Sequence, residues 1–215
     1  MAAGKVDRLA PPPPSPDRFG SPVPAVAIGS ALFAVAGVVA RQAELRPFEV
    51  RAFTAVNQLP ESAQRPVWLV MQAGSLGAVG AAALLADRTG RRPLAIALGA
   101  AGSTVWGGAK VIKRFFGRGR PPEHIDGCRV RGRPASGLGF PSGHAAVSMT
   151  LATVACSDLG HPARVFAFAV AVVTALSRVY VGAHLPADVV GGLGLGLAAG
   201  SLTNAARFSL ARRSR

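Results

Sequence analysis

The sequence predicts an all-α fold: a polytopic membrane bundle of six transmembrane helices with its active site at one membrane face. Three observations predict this. Half of the 215 residues are hydrophobic and only 16% are charged. The apolar residues are gathered into long uncharged runs, the pattern that bilayer-crossing helices require. The few ionisable residues that enter those runs sit at helix ends, and a crossing count brings those ends to one side. The net charge of +14 raises nucleic acid as a partner. However, the arginines flank apolar runs and aromatics make up only 6% of the chain, leaving little for base stacking. Membrane lipids are the expected partners and nucleic acid is not.

Residues 1–22 hold Lys5, Arg8, Arg18 and the run Pro11–Pro14. That composition resists packing and predicts a disordered, Pro-rich cytoplasmic tail. The uncharged stretch from Phe19 to Ala40 reads as the first span. Ala34-Val35-Ala36 has the small-residue look of a signal-peptide cleavage site, but the apolar run continues past it, so the span is expected to be retained. Residues 41–65 are charged, and among them Phe48, Phe53, Val56 and Leu59 recur at roughly helical spacing. A short helix in the interface and a solvated loop both fit this pattern.

Pro66–Ala86 is the second expected span, with Trp68 near an interface. A basic turn at 87–92 leads into the third, which runs from Pro93 through Lys110 to about Phe115. The fourth starts near Ser142 and ends before Asp158. The fifth runs from about Pro162 to Tyr180, and the sixth from near Pro186 to before Arg207. The bundle is thus expected over 23–206, followed by a basic cytoplasmic tail at 207–215. Gly192, Gly196 and Gly200 share one face of the sixth helix, and Gly99, Ser103 and Gly107 one face of the third. That spacing suits close helix packing in lipid. Cys128 and Cys156 are not expected to pair, and neither belongs to a metal-binding pattern.

With the first tail cytoplasmic, the third and fifth helices end outside, and the fourth and sixth start there. Lys113, His144, Arg178 and Asp188 then share one face. The basic turn at 87–92 and both tails assign that face as extracytoplasmic. The many Lys and Arg residues of 113–133 on the site side are attributed to phosphate binding.

Three clusters meet on this face: Lys113 with Arg120-Pro121 after six residues, Pro141-Ser142-Gly143-His144, and Ser177-Arg178 followed by His184 and Asp188. In the second, Pro141 suits a first helical turn, Ser142 a cap and Gly143 close approach of backbone to a ligand, so the helix start offers free N–H groups to an anion. Lys113, Arg120 and Arg178 supply three cations from separate segments, enough for a phosphate dianion and its transition state. Of the two histidines, one must attack phosphorus as a neutral imidazole and the other must protonate the leaving alkoxide. Pro186 fits the first position of a helix, which puts Asp188 in its first turn, in reach of His184. Asp188 would then orient His184 as base or nucleophile, leaving His144, among donors, as the acid.

The pattern K-x6-RP, PSGH and SR-x5-H-x3-D resembles the type 2 phosphatidic acid phosphatase superfamily, which also includes glucose-6-phosphatases and soluble vanadium haloperoxidases. Every motif position is filled between residues 113 and 188, and the six-span layout extends the resemblance over about 20–206. The resemblance implies a metal-independent phosphatase without cofactor. His184 would form a phosphohistidine, Asp188 would orient it and His144 would act as acid. Lys113, Arg120, Ser142, Gly143 and Arg178 would bind phosphate. The expected substrate is a lipid phosphate or diphosphate: a polyprenyl diphosphate, phosphatidic acid or phosphatidylglycerophosphate. A phosphotransferase with an alcohol acceptor, and a non-catalytic phospholipid-binding protein, are the alternatives. Lys110 is read as a snorkelling anchor, and His124 and Asp126 as parts of a solvated loop. Arg114, Arg118, Arg129, Arg131 and Arg133 are read as attractants for anionic head groups, and His161 as lying on the opposite face.

Overall fold

The structure, a computed structural model, describes residues 21–213. Apart from Ser21 and Pro22, the expected Pro-rich tail lies outside the described residues, as do the last two residues of the basic tail. The described helices are α1 (Val23–Ala40), α2 (Pro47–Asn57), α3 (Gln64–Met71), α4 (Leu76–Arg88), α5 (Arg92–Phe116), α6 (Gly143–Ala155), α7 (His161–Tyr180) and α8 (Pro186–Arg213). The protein is an all-α, multi-pass membrane bundle.

Among the described residues, α1, α5, α7 and α8 are long and apolar enough to cross a bilayer. The α3 and α4 segments make a fifth candidate if taken as one span bent by 65°. The fourth expected span is α6, which has 13 residues. At 1.5 Å per residue it covers about 20 Å, short of the roughly 30 Å hydrocarbon core. Its apolar character has another source. Ala145, Ala146, Val147 and Val154 are completely buried, and the helix packs between α5, α7 and α8. The run from Ser142 to Ser157 is apolar because protein surrounds it.

The second expected span is not continuous. It breaks at Gly74-Ser75, where the Ser75 hydroxyl accepts a hydrogen bond from the Ala78 N–H at 3.2 Å and caps α4. A side chain at position 74 would collide with the backbone of His144. The bend therefore brings the broken span against the start of α6.

Glycine lets the helices approach closely. A Cβ on Gly29 of α1 would lie 2.7 Å from the Gly194 carbonyl of α8, so these two helices meet backbone to backbone. The stripe Gly192, Gly196 and Gly200 packs α8 on α6 as expected, facing Ala145, Met149 and Thr153 in turn. The expected stripe on α5 does not: Ser103 is exposed and Gly107 has no neighbour within 4 Å of its would-be Cβ. The face in use is Leu98, Ala101, Gly102 and Val105, with Gly102 against Val79 of α4.

Of the two readings for 41–65, the helix is the one formed, as α2. Its inward residues are Glu49, Phe53 and Asn57, each separated by four positions. Phe48 and Leu59 of the expected apolar stripe are exposed. Asn57 staples the segment to the end of α7 and to the loop after α5. Its amide donates to the carbonyls of Arg129 (2.9 Å), Val179 (3.3 Å) and Tyr180 (3.0 Å), and its oxygen accepts from the Arg129 N–H.

Candidate active site

The site is built where the loop 117–142, the start of α6, the end of α7 and the start of α8 meet. α8 begins at Pro186, as expected, with Asp188 in its first turn. Asp188 is completely buried. Its Oδ2 accepts from the Leu185 N–H at 3.0 Å and lies 3.3 Å from His184 Nδ1, while its Oδ1 is 3.1 Å from Arg118 Nη1. The backbone N–H of His184 donates to the Arg178 carbonyl, tying this loop to α7. Gly182, within the same loop, has φ +72°, and a Cβ there would lie 2.5 Å from the Arg129 carbonyl; both demand glycine.

The other ring nitrogen of His184, Nε2, lies 3.0 Å from Arg120 Nη1. A guanidinium can only donate, so Nε2 presents its lone pair and the proton sits on Nδ1, directed at Asp188. Arg120 is held in place by the carbonyls of Ser136, Gly137 and Ala183. Burial first, and then the charges of Lys113, Arg120, Arg178 and His144, push the His184 pKa well below the ordinary 6.5. The ring is neutral at pH 7, and its Nε2 lone pair is turned to Arg120 on the cationic side of the pocket.

The remaining candidates surround it. Lys113, in the last turn of α5, donates to the carbonyls of Leu138 (2.9 Å) and Gly139 (2.6 Å) and so closes the loop over the helix end. Arg178 donates to Met71 Sδ at 2.8 Å, and its Nε is buried without a partner. Ser142 occupies the N-cap position of α6, but its hydroxyl makes no cap bond and is also buried and unpartnered. Pro141 precedes the cap after a cis peptide bond, and is not in the first helical turn as expected. Beside Gly143 there is open space, with no atom within 4 Å of a would-be Cβ. His144 is the second residue of α6, half-buried. Two unpartnered buried donors, each costing about 1–3 kcal/mol if left so, three cations and a helix start together suit an anion.

All eight candidates from the sequence thus converge. Two residues of the site were missed. Glu49 and Arg118 are buried, and Arg118 bridges Glu49 (2.6 Å) to Asp188 (3.1 Å). Arg118 is therefore not a head-group attractant, and neither is Arg131. The latter is buried over the Tyr180 ring and donates to the carbonyls of Asn57, Leu59 and Tyr180. Arg114, Arg129 and Arg133 are exposed, as are His124 and Asp126. Lys110 is exposed and lies over the Trp106 ring. His161 begins α7, at the end remote from Arg178. A helical stripe that admits charged residues, Glu49-Phe53-Asn57, was the available signal for Glu49. Both cysteines are free.

Fold and site define a multi-pass membrane helix bundle with a cationic pocket around two histidines. A family model described as the PAP2 superfamily matches residues 92–211, over half of the chain, and the chain belongs to that family. A curated relative, decaprenylphosphoryl-5-phosphoribose phosphatase of Mycolicibacterium smegmatis, is 38% identical over 115 residues. That match covers 54% of this chain and 61% of the relative, so the chain spans less than two thirds of the relative's length. Among solved structures, Aquifex aeolicus LpxE superposes with a TM-score of 0.65 at 20% identity, covering 75% of this chain and 97% of that one. It shares the fold. A transmembrane PAP2 type phosphatidylglycerolphosphate phosphatase from Bacillus subtilis gives a TM-score of 0.48 at 22% identity, over 89% of this chain and 98% of the other.

Proposed function

We propose that the chain is an integral membrane phosphatase that hydrolyses a lipid phosphate or diphosphate through a phosphohistidine on His184. The observation that carries this reading is the pair of contacts at His184, with Nδ1 toward Asp188 and Nε2 toward Arg120. A neutral imidazole with its lone pair aimed into a cationic pocket is what attack on phosphorus requires. The Nε2 lone pair forms the N–P bond as the P–O bond to the lipid alcohol breaks, and the leaving oxygen takes a proton from His144. Water then attacks phosphorus and gives its proton to His144, and the N–P bond breaks to free phosphate and His184. Asp188 keeps the ring oriented and offsets the positive charge it gains. Arg120, Arg178 and Lys113 neutralise the phosphate oxygens, with the Ser142 hydroxyl and the backbone at Gly143 as further donors.

α6 serves as the fourth of six crossings, shielded from lipid by its neighbours, and the site opens on the extracytoplasmic face. The basic turn between α4 and α5 and the basic end of α8 support that orientation. A head group reaches the pocket from the interface while its tail stays between helices. The mycobacterial relative is named for a polyprenyl-linked sugar phosphate. Such phosphates join polyprenyl diphosphates, phosphatidic acid and phosphatidylglycerophosphate as the first substrates to test.

The test is phosphate release by the purified protein in detergent, with a chelator present, across that panel. Release from at least one lipid, abolished by His184→Ala, is expected. Release that survives His184→Ala, or none from any lipid, refutes the reading.

A further inference from the structure

We propose that Glu49 is a positioning residue for the nucleophile: through Arg118 it fixes how Asp188 presents its charge to His184. This rests on the reading of His184 as nucleophile.

The geometry is a chain of charges from three separate elements. Glu49 comes from α2, Arg118 from the loop after α5, and Asp188 from the first turn of α8. Glu49 is 1% exposed, although α2 is a short helix with one face outward. Burying a lone carboxylate costs several kcal/mol, so it must be matched by partners. Both of its oxygens are. Oε2 pairs with Arg118 Nη2 at 2.6 Å, and Oε1 accepts from the Ala187 N–H at 2.9 Å. Ala187 is the neighbour of Asp188, so Glu49 holds the start of α8 and the guanidinium at once.

Arg118 is the fork between the two carboxylates. With Nη2 engaged by Glu49, Nη1 takes Asp188 Oδ1, which leaves Oδ2 for the Leu185 N–H and His184 Nδ1. If the Glu49 charge is removed, the whole guanidinium charge falls on Asp188. Asp188 then stabilises a positively charged His184 less well, and its second oxygen is no longer reserved for the ring. Glu49 touches neither substrate nor reacting atoms; its effect passes through Arg118 and Asp188.

The test separates this role from a purely structural clamp. The charged groups facing His184 are Asp188 from α8, Arg120 and Lys113 from α5 and its loop, Arg178 from α7, and His144 from α6. All are left intact in Glu49→Gln, which removes one negative charge from the chain behind Asp188. The expected kcat falls by about 10- to 100-fold, the range found when an outer partner that orients a metal-binding histidine is removed. KM changes little, and the acid limb of the kcat–pH profile moves to lower pH because His184 holds a proton less tightly. Glu49→Asp keeps the charge, so it recovers part of the loss and the original acid limb. An unchanged kcat overturns the proposal. So does a loss that tracks only the folded fraction, with the acid limb unmoved.

Should Glu49→Gln not fold, Arg118→Lys tests the same link. One ammonium cannot serve both carboxylates, so a similar fall in kcat at constant KM is expected, and wild-type kcat overturns the proposal. His184→Ala is run alongside. If it stays active, the nucleophile assignment has failed; if it is inactive while Glu49→Gln behaves as wild type, only the role of Glu49 has failed.

Discussion

Replacing Asp188 by asparagine keeps the side-chain shape and changes what it can accept. The carboxylate serves three donors: Arg118 Nη1 at 3.1 Å on one oxygen, and the Leu185 N–H at 3.0 Å and His184 Nδ1 at 3.3 Å on the other. An amide has a single acceptor oxygen, so one side must face an NH2 group. Turning NH2 toward Arg118 would set a donor against a buried cation, the costlier choice. The oxygen therefore goes to Arg118, and the NH2 donates to His184 Nδ1. That moves the imidazole proton to Nε2, the nitrogen that must attack phosphorus. The equivalent tautomer error in a serine protease triad costs about 10⁴-fold in kcat, and about 10³- to 10⁴-fold is expected here. The displaced Leu185 N–H adds about 1–3 kcal/mol of instability. The assay is kcat for phosphate release from the best lipid of the panel, with a thermal melt to confirm that the variant folds. A folded Asp188→Asn protein within tenfold of wild-type kcat refutes the assigned tautomer and the orienting role.

Two further outcomes follow from the same contacts. His184 should titrate below pH 6.5: burial and the four neighbouring cationic groups oppose its protonation, so the folded ring stays neutral where an unfolded one binds a proton. This group's contribution to stability is therefore present above pH 6.5 and is lost as pH falls below it. The ring resonance that disappears in His184→Ala reports the titration by NMR, and a midpoint at or above 6.5 contradicts the expectation. Asn57→Ala removes the amide that binds the carbonyls of Arg129, Val179 and Tyr180. The Val179 and Tyr180 carbonyls keep the Gly182 N–H and Arg131 as donors, so the expected loss is about 1–3 kcal/mol for the Arg129 carbonyl and N–H left without Asn57; an unchanged melting temperature would show that the staple is dispensable.

The site was legible in the sequence because most of its parts are local. Asp188 reaches His184 across four residues, and the helix that begins at Pro186 dictates that contact. Lys113 and Arg120 flank one helix end. Hydropathy locates helices and their ends, which is enough to bring Lys113, His144, Arg178 and Asp188 together. It cannot distinguish a run that faces lipid from one wrapped in protein. For that reason the run from Ser142 predicts a crossing although its helix has only 13 residues, and the break at Gly74 leaves no mark within an apolar stretch. Buried charge is harder still. Glu49 and Arg118 carry the same signature as solvated residues, and each is paired with the other across 69 positions of the chain. The apolar stripe of 41–65 runs through aromatic and aliphatic residues, whereas the face that points inward carries Glu49 and Asn57 beside Phe53.

Charge closure ties these missed residues to the chemistry. Around the pocket stand four basic side chains, Lys113, Arg118, Arg120 and Arg178, against two buried carboxylates, Glu49 and Asp188. Without Glu49 the excess would be three, and self-repulsion among clustered cations would work against folding. With it the excess is two, the charge complement of a phosphate dianion. Glu49 also goes to Arg118, the one basic group of the four already paired with Asp188, and among the described residues Arg120 and Arg178 have no carboxylate salt-bridge partner. The acidic residues thus secure the cation that orients the nucleophile, while the cations that face the pocket are held by neutral carbonyls and a thioether. Neutral partners hold an arginine or lysine in position without cancelling its charge, which keeps that charge for phosphate oxygens.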